Sequence, residues 1–239
     1  MPRKFTKNNI LNLLPETIYT AWAPYFETVD LPMGKVIYEL GSILSHMYFP
    51  TTAIVSWVYV LENGASTEIA MTGREGVVGM YMLMGGGKSH NQAIVQTAGQ
   101  AIRVPVKLVM DTFSQGHQVQ SIFWLFTRGL ITQMAQIAVC HRHHTVDQQL
   151  SRMLLLTLDR MDDNTIVMTH EVIASLLGVR REGVTMAAKK LMDEGIIRYA
   201  RGRITIQNRT ALEQRACECY GVIRQEYARL LPVACDCTH

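Results

Sequence analysis

The spacing of apolar residues changes near Pro105, and this change restricts the fold more than any other feature. Before Pro105, apolar residues occur in short runs rich in β-branched and aromatic side chains, separated by glycine and proline. After it, apolar residues recur every three to four positions, which is the period of an amphipathic helix. With 239 residues, 48% of them apolar, the chain is long enough for two domains. The sequence therefore predicts an α+β protein.

The part before Pro105 predicts a β-roll of jelly-roll type, within a first domain over residues 1–116. Its strand-like runs are residues 36–38, 47–49, 54–60, 67–71, 93–95 and 101–104. Asn63 and Gly64 lie between two of these runs and predict a two-residue turn with positive φ at both positions.

A long helix is predicted from near His117 to near His143. Leu130, Met134, Ile137 and His141 follow one another at spacings of four, three and four residues. The same stripe predicts the seam of a coiled-coil homodimer, so residues 117–144 are assigned as a dimerisation helix.

Residues 145–239 are predicted to form a winged helix-turn-helix domain. Thr145 and Gln148 fit a capping box that begins a new helix. Thr169 suits the start of a second helix, and Gly178 suits the turn before a third. Two short strands around Gly202 then form the wing, which typically lies over a phosphate backbone.

Charge along the chain agrees with a polyanionic partner. The net charge is +3, but residues 164–211 alone hold eight Lys and Arg against four Asp and Glu. A solvated basic surface would explain the charge equally well, so the helix-turn-helix pattern has to decide. The chain lacks both an apolar run of about 18 residues and an N-terminal leader pattern. We therefore expect a cytoplasmic protein that does not bind membranes.

With these elements in order, the chain resembles the Crp/Fnr family of bacterial transcription regulators. Residues 31–41, 48–50 and 54–56 are similar to the opening strands of the family's β-roll, and residues 178–184 to the start of its recognition helix. The resemblance implies a homodimer that binds a two-fold-symmetric operator in double-stranded DNA and acts through RNA polymerase.

The family's DNA-reading positions are carried over where residues match. The resemblance implies that Arg181 reads a guanine and Glu182 accepts from a cytosine, and the hydrogen-bonding chemistry of both side chains agrees. A third reading position, commonly Arg, is Met186 here, so we expect an altered operator. The DNA-binding set is completed by Thr169, Arg180, Thr185, Lys189, Lys190, Arg201 and Arg203. For Lys189 and Lys190, a purely solubilising role is the alternative.

The effector pocket departs from the family pattern. Members that bind cyclic nucleotides carry Gly-Glu and, about ten residues later, Arg-Ser or Arg-Thr; here Met80 and His90 replace the Glu and the Arg. Without those charged partners we expect an effector other than cyclic AMP, or none. The candidate pocket residues are Gly79, Met80, Lys88, His90 and Asn91. The alternative is that the Met residues here are ordinary core.

Cysteine and histidine residues raise the question of a metal. Cys140 could share a helical face with His144 or with His143, and Cys217, Cys219, Cys235 and Cys237 lie near the end of the chain. Two residues apart on an unbroken helix, however, lie about 200° apart around its axis. We therefore predict free thiols, with no metal and no cofactor. A metal- or redox-responsive regulator that uses Cys140, His141 and His144 or the C-terminal cysteines stays open.

An enzyme of the cupin class is the last alternative. Cupins present His ligands from strands of the roll, and here only His46 and His90 are candidates. No nucleophile elbow or nucleotide-binding glycine motif is present. We predict no catalytic site.

Overall fold

The computed structural model describes residues 6–85 and 87–231. These residues divide into two compact units. The first contains residues 6–57, 71–131 (apart from Gly86) and 226–231, and the second contains residues 58–70 and 132–225.

Among the described residues before 116, the structure has seven strands and several helices. The helices are α1 (Asn9–Leu13), α2 (Glu16–Trp22) and α3 (Val106–Gln115), with 3₁₀ turns at Ala23–Tyr25 and Met80–Leu83. The strands are β1 (Glu27–Leu31), β2 (Val36–Tyr38), β3 (His46–Pro50), β4 (Ile54–Val60), β5 (Ser66–Thr72), β6 (Gln92–Thr97) and β7 (Gly99–Pro105).

These strands form two sheets, which confirms the predicted β domain. One sheet has the order β1-β7-β3 and the other β2-β6-β4-β5. In the first, β7 pairs antiparallel with both neighbours, with Arg103 opposite Glu27 on β1 and Tyr48 on β3. Leu31, Ala53 and Val95 are among the fully buried side chains that form its core.

The turn between β4 and β5 differs from the prediction. Gly64 has φ +82°, but among the described residues Arg201 is the only non-glycine with positive φ. Leu61 N instead donates to Ala65 O at 2.8 Å, and Gly64 N donates to Leu61 O at 2.9 Å. The loop therefore has three residues, with glycine alone in the left-handed region, and the predicted primed turn is wrong.

The long helix α4 (His117–His143) has the predicted bounds and 27 residues. It is also the one helix among the described residues whose length and composition would suffice for a membrane span. By itself this is weak support for a membrane, because a core helix passes the same test and 39% of that apolar window is buried.

The predicted dimer seam on α4 needs correction. Leu130 and Ile137 are 4% and 2% exposed within the single chain, and Met134 and His141 are half-buried. Side chains already covered by their own chain are not available to a partner helix. The exposed stripe of α4 lies on another face and consists of Trp124, Ile131, Ala135 and Ala138, spaced by seven, four and three residues.

Residues 145–231 form a helical segment with a small sheet. Its elements are α5 (Val146–Leu158), β8 (Thr165–Val167), α6 (His170–Leu177), α7 (Arg181–Asp193), β9 (Ile197–Ala200), β10 (Arg203–Ile206), α8 (Arg209–Arg215) and α9 (Glu218–Leu230). The predicted capping box at the start of α5 is present, since Thr145 N donates to Gln148 Oε1 at 3.1 Å and Gln148 N donates to Thr145 Oγ1 at 3.4 Å. The sheet order is β8-β10-β9, and both pairs are antiparallel.

Candidate DNA-binding site

Helices α6 and α7 form the predicted helix-turn-helix. Thr169 caps α6 by accepting a hydrogen bond from Val172 N at 3.3 Å. Gly178 ends α6 with φ +65°, and Val179 N donates to Ala174 O at 3.0 Å. This left-handed glycine turns the chain so that α7 begins three residues later.

The outer face of α7 carries the side chains available to a groove. Val184, Ala187, Ala188 and Leu191 cover its inner face and are buried. All ten residues predicted to bind DNA are exposed, namely Thr169, Arg180, Arg181, Glu182, Thr185, Met186, Lys189, Lys190, Arg201 and Arg203. Met186 is 64% exposed, which leaves an apolar side chain on the outer face of the helix.

Arg181 begins α7 and is only loosely held. Its Nε lies 3.9 Å from Glu171 Oε2, and both side chains are mostly exposed. A surface ion pair of this kind contributes about 0 to 1 kcal/mol to the free energy of unfolding. The guanidinium can therefore leave Glu171 at little cost when a better acceptor is offered.

The two lysines of α7 differ in their surroundings. Lys190 Nζ lies 2.7 Å from Asp147 Oδ2 at the start of α5. Lys189 makes no ion pair with any residue that the structure describes. The charge of Lys189 is thus the more available of the two to a phosphate.

The predicted wing is present as the β9–β10 hairpin. Ala200 pairs with Arg203, and the two residues between them, Arg201 and Gly202, have φ +50° and +73°. This is the primed two-residue turn that matches strand twist. Arg201 adopts a conformation that costs a residue with a Cβ roughly 1–2 kcal/mol. Met168 N donates to Gly202 O at 2.8 Å, which ties the wing tip to the start of α6.

His170 and Tyr199 support this surface and were not predicted from the sequence. Their rings stack with centroids 4.3 Å apart and an interplanar angle of 17°. His170 Nδ1 also lies 3.1 Å from Thr185 Oγ1, whose hydroxyl lies 3.0 Å from Arg181 O. Desolvation, and then the charge of Arg181, lower the pKa of His170. The His170 side chain therefore connects α6, α7 and the wing.

The five effector candidates differ in their burial. Met80 is fully buried, whereas Lys88 and His90 are exposed. Asn91 is 9% exposed. Gly79 has φ +104°, and a Cβ added there would lie 2.9 Å from a Leu44 methyl carbon. Met80 is therefore a core side chain, as the alternative interpretation of the Met residues expects.

Comparison with known proteins agrees with this architecture. The family model for the cyclic nucleotide-binding domain matches residues 28–116, and that for the Crp-like helix-turn-helix domain matches residues 148–215. The chain is 26% identical over 192 residues to a global nitrogen regulator from Synechococcus elongatus, covering 76% of this chain and 86% of that protein. It is 24% identical over 216 residues to a global nitrogen regulator from Nostoc sp., covering 86% and 96%.

Solved structures share the fold at lower identity. FixK2 from Bradyrhizobium japonicum is 19% identical with a TM-score of 0.66, covering 80% of this chain and 98% of that one. A transcriptional regulator of the CRP/FNR family from Thermus thermophilus is 20% identical with a TM-score of 0.64, covering 80% and 98%.

A β domain matched by the cyclic nucleotide-binding model, followed by a winged helix-turn-helix, defines a class of DNA-binding transcription regulators. Within that class, the two domain matches together assign this chain to the Crp/Fnr family.

Proposed function

We propose that this chain is a sequence-specific transcription regulator that binds a palindromic operator as a cytoplasmic homodimer and acts with RNA polymerase rather than as an enzyme. The observation that carries the proposal is the exposed outer face of α7, which begins with Arg181 and Glu182. The exposed wing, with Arg201 at its tip, adds a second basic contact. Residues 1–116, 117–144 and 145–239 then act as sensor domain, dimerisation helix and DNA-binding domain.

Base reading depends on three side chains of α7. The guanidinium of Arg181 fits O6 and N7 of guanine, and the carboxylate of Glu182 fits N4 of cytosine. Met186 offers an apolar contact, which suits the methyl group of thymine. We therefore propose an operator that departs from that of members with Arg at the third position.

We assign the phosphate contacts to exposed Lys and Arg side chains. Lys189 on α7 and Arg201 at the wing tip are exposed, and so are Arg180 and Arg203. Thr169 caps α6, Thr185 bonds within the site, and Lys190 pairs with Asp147. For these three we propose a smaller contribution to DNA affinity.

The homodimer forms through the exposed stripe of α4, defined by Trp124, Ile131, Ala135 and Ala138. Spacings of seven, four and three residues place these side chains along one seam of a helix pair. The two alanines allow the helices to approach closely in the second half of the seam.

The effector is a small molecule other than cyclic AMP or cyclic GMP, or none is needed. A buried Met80 and an exposed His90 replace the carboxylate and guanidinium of nucleotide-binding members. Each missing charged hydrogen bond is worth roughly 1.5–3 kcal/mol, so two imply about 100-fold to 10⁴-fold weaker binding. Calorimetry with either cyclic nucleotide should detect no low-micromolar binding, and such binding would contradict this assignment.

Binding-site selection tests the proposal as a whole. Purified full-length protein without added ligand is used to enrich random duplexes over several rounds. We expect a near-palindrome with half-site centres about 34 Å apart, one turn of DNA. Failure to enrich any sequence, or enrichment of sites without two-fold symmetry, would overturn it.

A further inference from the structure

Four potential metal ligands, none of them among the residues proposed to bind DNA, meet at one point. They are Cys140, His144, Cys217 and Cys219, and their ligand atoms all lie within 4.8 Å of one another. Cys140 Sγ is 3.5 Å from Cys217 Sγ, and Cys219 Sγ is 3.6 Å from His144 Nδ1. The three cysteines are buried and the histidine is half-buried.

Two parts of the chain build this cluster. Cys140 lies in the last turn of α4 and His144 four residues later, and residues at this spacing share a face. Cys217 lies between α8 and α9, and Cys219 lies in the first turn of α9. Because the helix is interrupted before Glu218, the expectation that Cys217 and Cys219 diverge on a continuous helix is wrong. Cys235 and Cys237 lie outside the described residues.

The distances suit a single tetrahedral ion. Zn²⁺ binds Cys sulfur at about 2.3 Å and His nitrogen at about 2.0–2.1 Å. Tetrahedral geometry then places two sulfurs about 3.8 Å apart, and a sulfur and a nitrogen about 3.6 Å apart. The two short separations in the cluster lie close to these values. A cluster with several irons would need its ligands spread more widely.

A neighbouring carboxylate orients the histidine. His144 Nε2 lies 3.3 Å from Glu218 Oε1, while its Nδ1 faces Cys219. Histidine ligands commonly donate their other ring N–H to a carboxylate, which fixes the ring and the tautomer. Glu218, which lies between the two cysteines in sequence, is placed to accept that hydrogen bond.

The buried positive charge of Arg152 also requires a negative charge nearby. Arg152 on α5 is 1% exposed, and its Nε and Nη1 have no hydrogen-bond partner among the described residues. Three thiolates, a neutral histidine and Zn²⁺ sum to one negative charge. Such a centre balances the buried guanidinium, which would otherwise be costly.

We propose that Cys140, His144, Cys217 and Cys219 bind one Zn²⁺ per chain as a structural site. The ion fastens the end of α4 to the start of α9 and thereby fixes the junction at which the DNA-binding segment begins. The donor set of three cysteines and one histidine is closed, as structural zinc sites are.

The primary test is the metal content of full-length protein purified without chelators, measured by inductively coupled plasma mass spectrometry. We expect about one zinc per chain. Cys140→Ser, Cys217→Ser, Cys219→Ser and His144→Asn should each lose most of it. The matched controls Cys235→Ser, Cys237→Ser and His143→Asn should retain it.

A second measurement uses wild-type protein, so it does not depend on a variant that folds. After removal of the metal with a chelator, added Co²⁺ should give the absorption of a tetrahedral ion with thiolate ligands. X-ray absorption of the zinc form should show about three sulfurs at about 2.3 Å and one nitrogen at about 2.0–2.1 Å.

Four results would overturn the proposal. They are metal-free wild-type protein that takes up no Co²⁺, equal zinc loss in the control variants, a native disulfide between Cys140 and Cys217, and an iron–sulfur spectrum in place of zinc. None of them bears on DNA binding, so this site and the proposed function are tested separately.

Discussion

The DNA-binding surface and the cysteine–histidine cluster are opposite kinds of site. All candidates for DNA contact lie between Thr169 and Arg203 and are exposed, so a local pattern was sufficient to propose them. The cluster joins Cys140 to Cys217, 77 residues apart, inside the fold. An exposed surface that meets a partner can be identified from a short segment. A buried site that holds the chain together is assembled only by the fold.

The largest expected effect is the loss of stability when a charge replaces a buried side chain of α4 rather than an exposed one. Ile137→Asp places an unpaired charge at a 2% exposed site and should cost roughly 3–5 kcal/mol of unfolding free energy. Ile131→Asp, at a 58% exposed site, should change protomer stability by less than about 0.5 kcal/mol but release monomers. Urea unfolding measures the first effect and sedimentation the second. An Ile131→Asp dimer as tight as wild type would show that the seam is elsewhere.

The next effect concerns the wing tip. Arg201→Gly should weaken binding to every DNA sequence alike and reduce the slope of log affinity against log salt by about one per half-site. Protein stability should be unchanged or raised by up to about 1 kcal/mol, because glycine accepts the positive φ of this position. Arg201→Lys, which keeps the charge, should keep most of the slope. An unchanged slope in Arg201→Gly would remove the wing from the contact surface.

A smaller difference should separate neighbouring lysines. Lys189→Ala should also reduce the salt slope by about one per half-site. Lys190→Ala should reduce it less, because the ammonium group is already paired with Asp147 at 2.7 Å. Fluorescence anisotropy over a range of salt concentrations compares the two variants directly. Equal slopes would mean that Lys190 exchanges Asp147 for a phosphate.

The smallest effect is the pH dependence set by His170. Its pKa in the folded chain is lowered from 6.5, so below about pH 6.5 the unfolded state binds more protons. Stability from this group is therefore present above that pH and is lost as pH falls towards the folded pKa. His170→Phe keeps the stack on Tyr199 and should show a shallower decline in stability as the pH falls below about 6.5. An identical decline in both proteins would contradict the assignment.

Sequence pattern predicted most of the fold, and its errors have physical causes. Residue spacing gave α4 and the capping box at Thr145, because both depend on neighbours within a few positions. The same spacing predicted the dimer seam on side chains that their own chain already covers. An apolar stripe that contains Leu130 and Ile137 does not reveal whether its own chain or a second chain covers these side chains. The helix is interrupted before Glu218, but no glycine or proline lies there, so the local sequence does not indicate the interruption.

The most direct test of the account asks whether Arg181 reads a base. Wild-type protein and Arg181→Ala are compared on the selected operator and on operators changed at each symmetric base pair. We expect Arg181→Ala to lose about 1–3 kcal/mol of binding free energy per half-site, with base preference lost at one symmetric pair and kept elsewhere. An Arg181→Ala protein with unchanged base preference would show that α7 does not read the groove as described.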